Sequence, residues 1–308
     1  MPISNIIQPA FLPVSENLRL RKFDGIYNFA LRWYQDLELV WLVDGKLLEA
    51  PVAPDQQAIA RNMKAIQALA EKLEQDVHVM VVPSAGWAAG VEGYTDEDSL
   101  EAIYTAAGGS VIPVPVEDLY AGKPDLYYNT DHHWTSEGAY LGYAAFAEAA
   151  GRDIRAKEDF TVTAAENFRG STYSRSALWL TPAETIELWQ GSEGLTVTNG
   201  ETEGVHQGIF YRERLEEADK YTVFLDGNHS IVRVRNPEKQ GKLLVIRDSY
   251  SNCLGGFLAE SYGEVVLVDL RYYRQAVSEL AAQENFDNIL VCYSCANFLT
   301  DTNLMLLR

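Results

Sequence analysis

The block Thr130-Asp131-His132-His133-Trp134-Thr135 sets a carboxylate two residues from an imidazole, just ahead of an Ala-rich stretch with helical character. A carboxylate beside an imidazole holds the ring in one tautomer and stabilises its protonated form, as a general base requires. A second block, Val245-Ile246-Arg247-Asp248-Ser249-Tyr250-Ser251, ends an apolar run abruptly in Asp-Ser. Ligands in open α/β sheets bind at the carboxyl ends of strands. A serine on a strand-to-helix turn exposes its hydroxyl there, next to backbone N–H groups that can hold an oxyanion. A serine needs a base and a base needs an orienter, so Ser249, His133 and Asp131 are chemically complete only when joined.

Taken singly, each block has a plainer explanation. Asp131 can cap the following turn, His132 can be a solvated loop residue and Trp134 a core residue. Asp248, Ser249 or Ser251 can simply cap the helix that follows. Metal ligation by Asp131, His132 and His133 is a third possibility. It is awkward, because adjacent side chains diverge, and the same divergence predicts that His132 points away from His133. Two weaker groups complete the set. Asn228, in Gly227-Asn228-His229, can supply a side-chain N–H to an oxyanion or merely occupy a turn. Arg271, Tyr272 and Tyr293 fall at or just past strand ends, where they can line the cleft and bind sugar hydroxyls, or be ordinary packing and surface residues.

The elements that must position these groups follow from periodicity. Phe23–Asp36 carries Ile26, Phe29, Ala30 and Trp33 at helical spacing. Leu39–Val43, Asp44-Gly45 and Lys46–Glu49 read as a hairpin, Asp-Gly supplying the positive φ of a two-residue turn. Pro54-Asp55 opens a helix with the buried stripe Ile59, Met63, Ile66, Leu69 and Leu73. Strands are expected at Val77–Val82 and Val111–Val116, the latter weakened by Pro113 and Pro115, and helices at Ser99–Ala107 and Ser136–Ala150. From Phe160 to Gln240 the pattern breaks into short strands and turns. Ile186–Gln190, Leu195–Thr198, Tyr221–Leu225 and Ile231–Val234 are the candidate strands of a β-rich insertion or cap over 160–240. The C-terminal stretch is a βαβαβ unit: strands Lys242–Ile246, Glu264–Asp269 and Asn288–Val291 with helices Asn252–Tyr262 and Arg274–Glu284. Continuous apolar strands alternating with helices predict a parallel sheet covered on both faces, in a single α/β domain over 1–308.

Composition bounds the partners. The chain has 308 residues, 47% of them hydrophobic, enough for a full core, and carries no repeat or low-complexity tract. Its formal charge of −19 repels phosphate backbones and anionic lipid, so nucleic acid and membrane surfaces are poor partners. Three cysteines cannot all pair within the chain. Cys292 and Cys295 have C-x-x-C spacing, but Cys292 ends an apolar run and no second pair completes a zinc site, so buried free thiols are expected. No stretch reaches the roughly 18 apolar residues of a membrane span. Met1–Leu20 lacks the pattern of a signal peptide, which leaves a cytoplasmic protein or one whose signal or anchor is absent from this sequence.

Four strings carry a resemblance. Tyr127 to Tyr140, with its Asp-His-His-Trp core, looks like the signature of the bacterial DHHW protein family. Phe168-Arg169-Gly170-Ser171-Thr172-Tyr173-Ser174, the run Lys242–Asn252, and Val268-Asp269-Leu270-Arg271-Tyr272-Tyr273 support it. The similarity extends over most of the chain from about Phe23. That family resembles the alginate O-acetylation proteins of the SGNH-hydrolase-like superfamily, in which an Asp-x-His-Trp block precedes the serine. The resemblance implies an SGNH-like α/β fold, with Asp131 and His133 at the dyad and Ser249 at the nucleophile. One position departs from the pattern: Arg247 stands where Gly is usual, giving Arg-Asp-Ser, and a bulky residue there threatens the oxyanion hole.

What the resemblance implies for function is a serine-dependent acetyl-ester hydrolase or O-acetyltransferase acting on a cell-surface carbohydrate. It implies no metal or organic cofactor, and an extracellular or envelope-associated location. The rival is a non-catalytic surface protein of the same fold that binds carbohydrate or supports an envelope assembly. The two are separated by whether Ser249 lies within hydrogen-bond reach of His133.

Overall fold

The computed structural model describes residues 40–307 apart from Ala177 and Trp179. The helix expected over Phe23–Asp36 lies outside the described residues. Strands β1 (Val40–Val43) and β2 (Lys46–Glu49) pair antiparallel about Asp44-Gly45, whose φ values of 49° and 84° are those the two-residue turn needs. The hairpin reaches forward to the Asp-His block. Lys46 Nζ donates to the carbonyls of Tyr127 (2.8 Å) and Tyr128 (3.1 Å), and the Leu47 amide donates to the carbonyl of Asn129 (2.7 Å).

The remaining strands are β3 (Val77–Val82), β4 (Val111–Pro113), β5 (Thr161–Phe168), β6 (Glu184–Gln190), β7 (Thr196–Asn199), β8 (His206–Gln207), β9 (Ile231–Arg235), β10 (Lys242–Arg247), β11 (Glu264–Val268) and β12 (Asn288–Ser294). Eight of them form one sheet in the order β4-β3-β12-β10-β11-β9-β7-β8. From β4 to β11 every pair is parallel, and β9, β7 and β8 continue antiparallel. The sheet is therefore mixed, with the expected parallel unit as its larger part.

Every residue of β3 and β11 is buried, and so is nearly all of β10 and β12. Period-two alternation sends Leu243 and Val245 to one face and Leu244 and Ile246 to the other. Helix α1 (Gln56–Leu73), capped by the Asp55 carboxylate on the amides of Gln57 and Ala58, covers the second face through Ile59, Met63, Ile66 and Leu69. Helices α2 (Asp96–Ala106), α6 (Val277–Glu284) and α7 (Cys295–Thr300) join it there. Helices α3 (Ser136–Ala149) and α5 (Ser251–Leu258) cover the first face, with Tyr143, Phe146, Leu254 and Phe257 in the core. Each such buried side chain contributes about 1.5–3 kcal/mol. The result is the expected α/β arrangement, a largely parallel sheet between two helical layers.

The middle third departs furthest from expectation. Tyr221–Leu225 is no strand: Lys220–Val223 is a 3-10 turn. Strand β5, not foreseen, pairs with β6 in a separate hairpin; six of its eight residues are exposed, so it has no apolar alternation to read. Strand β4 stops at Pro113, short of the expected Val116, and lies at the sheet edge. Cys253, Cys292 and Cys295 are free thiols, all buried. No helix among the described residues is long and apolar enough to cross a membrane.

Candidate active site

The turn Asp248-Ser249-Tyr250 joins the end of β10 to the start of α5 at the carboxyl edge of the parallel strands. Asp248 fixes its shape. One carboxylate oxygen accepts from the Tyr250 amide (3.0 Å). The other accepts from the Ser294 amide (2.8 Å), the Ser294 hydroxyl (2.9 Å) and Asn297 Nδ2 (2.8 Å). The turn is thereby tied to the end of β12 and the start of α7. Helix α5 has no side-chain cap, and the Ser249 hydroxyl is directed elsewhere. The Ser249 amide makes no hydrogen bond to a described residue, as befits an N–H at a helix start.

Ser249 Oγ lies 2.8 Å from His133 Nε2, and His133 Nδ1 lies 2.5 Å from Asp131 Oδ1. Three residues separated by up to 118 positions in sequence thus form one hydrogen-bonded chain. Its acid end is built by three segments. Asp131 Oδ1 also takes the His133 amide (2.9 Å), which folds the block back on itself, and Oδ2 takes the Ser171 amide (2.6 Å) at the start of helix α4 (Ser171–Ser176). The preceding residue has to be glycine: a Cβ on Gly170 would sit 2.1 Å from Asp131 Oδ2. Glu184, opening β6, accepts the amides of Asn129 and Thr130 (2.7 Å each). Burial alone would push the Asp131 carboxyl up, but the charge and hydrogen bond of His133, with His132 and the Ser171 amide, hold it well below the usual carboxylate range. It is an anion, as an orienter must be.

Aromatic rings fix His133 laterally. Tyr221 stacks on His133, and Tyr250 packs at a tilt with centroids 5.1 Å apart while its hydroxyl donates to the His132 carbonyl. Trp134 is core, as one explanation had it, yet its Nε1 donates to the Tyr250 carbonyl (3.0 Å) and so links the two blocks. His132 does not point away. Its ring centroid is 3.8 Å from that of His133, and its Nδ1 is 2.7 Å from Ser171 Oγ. The bend imposed by the Asp131–His133 amide bond brings the two rings together where an extended chain would splay them. Asp131, His132 and His133 do place ligand-type atoms within 4.8 Å of one another. A metal taking His133 Nδ1 as a ligand would have to displace the Asp131–His133 bond.

The weaker candidates divide. Asn228 is beside the Ser249 turn: its Oδ1 accepts from Asn252 Nδ2 (3.1 Å) and Arg247 Nη1 (3.3 Å). Arg247 does not crowd the turn. It is fully buried beneath it, so it braces the site and cannot meet a ligand at the surface. Tyr293 is 1% exposed and packed in the core beside Phe298, which rules it out as a cleft-lining residue. Strand β12 runs three residues further than expected, and this buries it. Arg271 pairs with Asp269 through Nε (2.9 Å) and Nη2 (2.6 Å), and Tyr272 is an exposed neighbour with the Arg271 guanidinium over its ring. Tyr221, Tyr250, Gly170, Ser171 and Glu184 were not identified from sequence. The string Phe168–Ser174 was the one available signal, and it carried no role until the fold set it against Asp131.

The likeness to the DHHW protein family is borne out: the family profile matches residues 116–268, which include both chemical blocks. The fold is similar to that of a DHHW family protein from Eubacterium siraeum, with 23% identity, a TM-score of 0.75, and coverage of 87% of this chain and 93% of the other. It is also similar to PatB1 of Bacillus cereus carrying a sulfonyl adduct, with 21% identity, a TM-score of 0.73, and coverage of 87% and 98%. The O-acetyltransferase domain of Pseudomonas putida AlgJ is more distant, at 13% identity and a TM-score of 0.51 over 85% and 92% of the chains. No curated protein matches the sequence.

Proposed function

We propose that this chain is a serine-dependent acetyl-ester enzyme, an O-acetyl hydrolase or O-acetyltransferase, with a cell-surface carbohydrate as donor or acceptor. The single observation that carries the reading is the chain Ser249 Oγ–His133 Nε2 (2.8 Å), His133 Nδ1–Asp131 Oδ1 (2.5 Å). Its order and contacts are those of a nucleophile, base and orienter. In the first half-reaction Ser249 Oγ attacks the ester carbonyl carbon as its proton passes to His133 Nε2. The oxyanion meets the Ser249 amide and Asn228 Nδ2. The C–O bond to the leaving alcohol breaks, that oxygen takes the proton from His133, and acetyl-Ser249 remains. Water or a sugar hydroxyl then gives its proton to His133 and takes the acetyl group, restoring the serine.

The carbohydrate reading is supported by the AlgJ domain of similar fold, which is an O-acetyltransferase. A cell-surface acceptor places the protein outside the cell or at its envelope. The test is acetate release from p-nitrophenyl acetate, with intact-mass detection of the acetyl-enzyme, for the parent chain and Ser249→Ala. Acetylation of the parent at Ser249 and its loss in the variant support the reading. Turnover that survives in Ser249→Ala, or a parent that takes no acyl group from any activated ester, leaves the non-catalytic carbohydrate-binding alternative.

A further inference from the structure

Arg247 presents a problem. A guanidinium with no exposure is expensive to bury unless an anion compensates it. Among the described residues no carboxylate pairs with it directly. Asp269, the carboxylate with the largest effect on it, is engaged by Arg271, and Asp248 is saturated by Ser294, Asn297 and the Tyr250 amide. Among the described residues Arg247 Nε and Nη2 have no hydrogen-bond partner. Every bond it makes runs through Nη1: to Asn252 Oδ1 (2.6 Å), Asn228 Oδ1 (3.3 Å) and the Asp248 carbonyl (3.4 Å).

These contacts decide which way an amide faces. Asn228 Oδ1 sits between two donors, Arg247 Nη1 and Asn252 Nδ2, so its Nδ2 is the end left for a ligand. The two residues that hold the oxygen flank Ser249 in sequence. Asn228 itself is delivered by three successive residues at positive φ: Leu225 (58°), Asp226 (62°) and Gly227 (82°). Two of these are not glycine, a strained stretch that persists only where its surroundings hold it. Asp226 is held by Arg214 Nε (2.6 Å), and Leu225 is fully buried. Left to itself, an exposed asparagine at such a turn would rotate its amide freely.

We infer that Arg247 is a positioning residue that acts through Asn252 and Asn228, locking the Asn228 amide with its N–H toward the oxyanion of the acyl-transfer step. The inference rests on the acyl-enzyme reading given above. It accounts for the departure from a glycine at this position: the arginine side chain lies under the turn and replaces backbone economy with a side-chain brace. It also predicts that the arginine matters only while Asn228 is present.

The test is the rate at which phenylmethylsulfonyl fluoride labels Ser249, followed by intact mass, since the sulfonyl oxygen must occupy the oxyanion position whatever the natural substrate. Asn228→Ala is expected to slow labelling about 10²-fold, the effect of losing one oxyanion donor. Arg247→Met should slow it comparably, and the double variant no further than either alone. Asn228→Asp keeps an acceptor for Arg247 but has no N–H, so it should label slowly while melting no lower than the parent. Should Arg247→Met fail to fold, Asn252→Ala interrupts the same link and must show the same non-additivity with Asn228→Ala. Labelling of Arg247→Met at the parental rate, or a double variant that multiplies the two losses, overturns the inference alone. A parent chain that is not labelled overturns the acyl-enzyme reading and this inference with it.

Discussion

The ring of Tyr221 lies flat on the ring of His133, with centroids 3.9 Å apart and planes within 5° of parallel. The hydroxyl of Tyr221 is buried and has no hydrogen-bond partner among the described residues, so its contribution is the ring face. That face confines the imidazole to the plane in which Nδ1 meets Asp131 and Nε2 meets Ser249. On the proposed function, Tyr221→Phe should match the parent chain's rate on an activated ester. Tyr221→Leu should lower kcat by about 10- to 100-fold with little change in KM, the cost of a misplaced base. Steady-state kinetics on an activated ester distinguish the two, and an inactive Phe variant would assign the role to the hydroxyl instead.

Asp131→Asn should leave the fold intact and lower kcat by about 10⁴-fold, since an amide in that place favours the wrong imidazole tautomer. His132→Ala is expected to fall between this variant and the parent, at about tenfold, because His132 packs on the His133 ring without touching Ser249. Circular dichroism checks the fold and ester hydrolysis the rate. A dead His132→Ala beside an active His133→Ala would reverse the assignment of the base.

Gly170→Ala tests the acid end. The added methyl would meet Asp131 Oδ2 at 2.1 Å and compete with the Ser171 amide for that oxygen. A loss of about 1–3 kcal/mol in stability is expected from overpacking, together with a drop in kcat. Urea denaturation and ester hydrolysis measure the two. A fully active, fully stable variant would show that Asp131 does not need the α4 amide.

Lys46 couples the hairpin to pH. Burial lowers its ammonium from 10.5 to about 8, partly offset by Glu184 and Asp125. Between those two values the unfolded chain holds the proton that the folded chain has released, so the stability linked to this group rises as pH climbs from about 8 towards 10.5. The difference in stability between the parent and Lys46→Met should therefore shift in the parent's favour over that range, by chemical denaturation at stepped pH. A difference that stays flat would show that Lys46 keeps its ordinary proton affinity.

Much of the architecture was legible because the parallel strands are buried on both faces. Val77–Val82, Lys242–Ile246 and Glu264–Asp269 announce themselves as unbroken apolar runs, and the structure moves their ends by one residue at most. The exposed strand Thr161–Phe168 has no such run, and the 3-10 turn at Lys220–Val223 is aromatic and β-branched enough to imitate a strand. At the site, Asp131, His133 and Ser249 were recoverable from chemical type and local spacing. Their supports were not, because Gly170, Glu184 and Tyr221 reach them from segments about 40 to 90 residues away, and no local pattern encodes that distance. Tyr293 failed for the opposite reason: placing it near a strand end said nothing about which side of the sheet it would face.

The three thiols carry a consequence for how the chain must be made. Burial pushes the Cys253 and Cys292 thiols up to about 12, and raises Cys295 well above its ordinary value too. At neutral pH these buried thiols stay protonated in the folded chain, and thiolate is the form that oxidises or exchanges. The folded protein is inert to its redox surroundings, but the unfolded chain has three ordinary cysteines and no native partner for any of them. In an oxidising space, folding becomes a race: β12 and α5 must close over their thiols before any pair is oxidised, and every disulfide formed first is a trap.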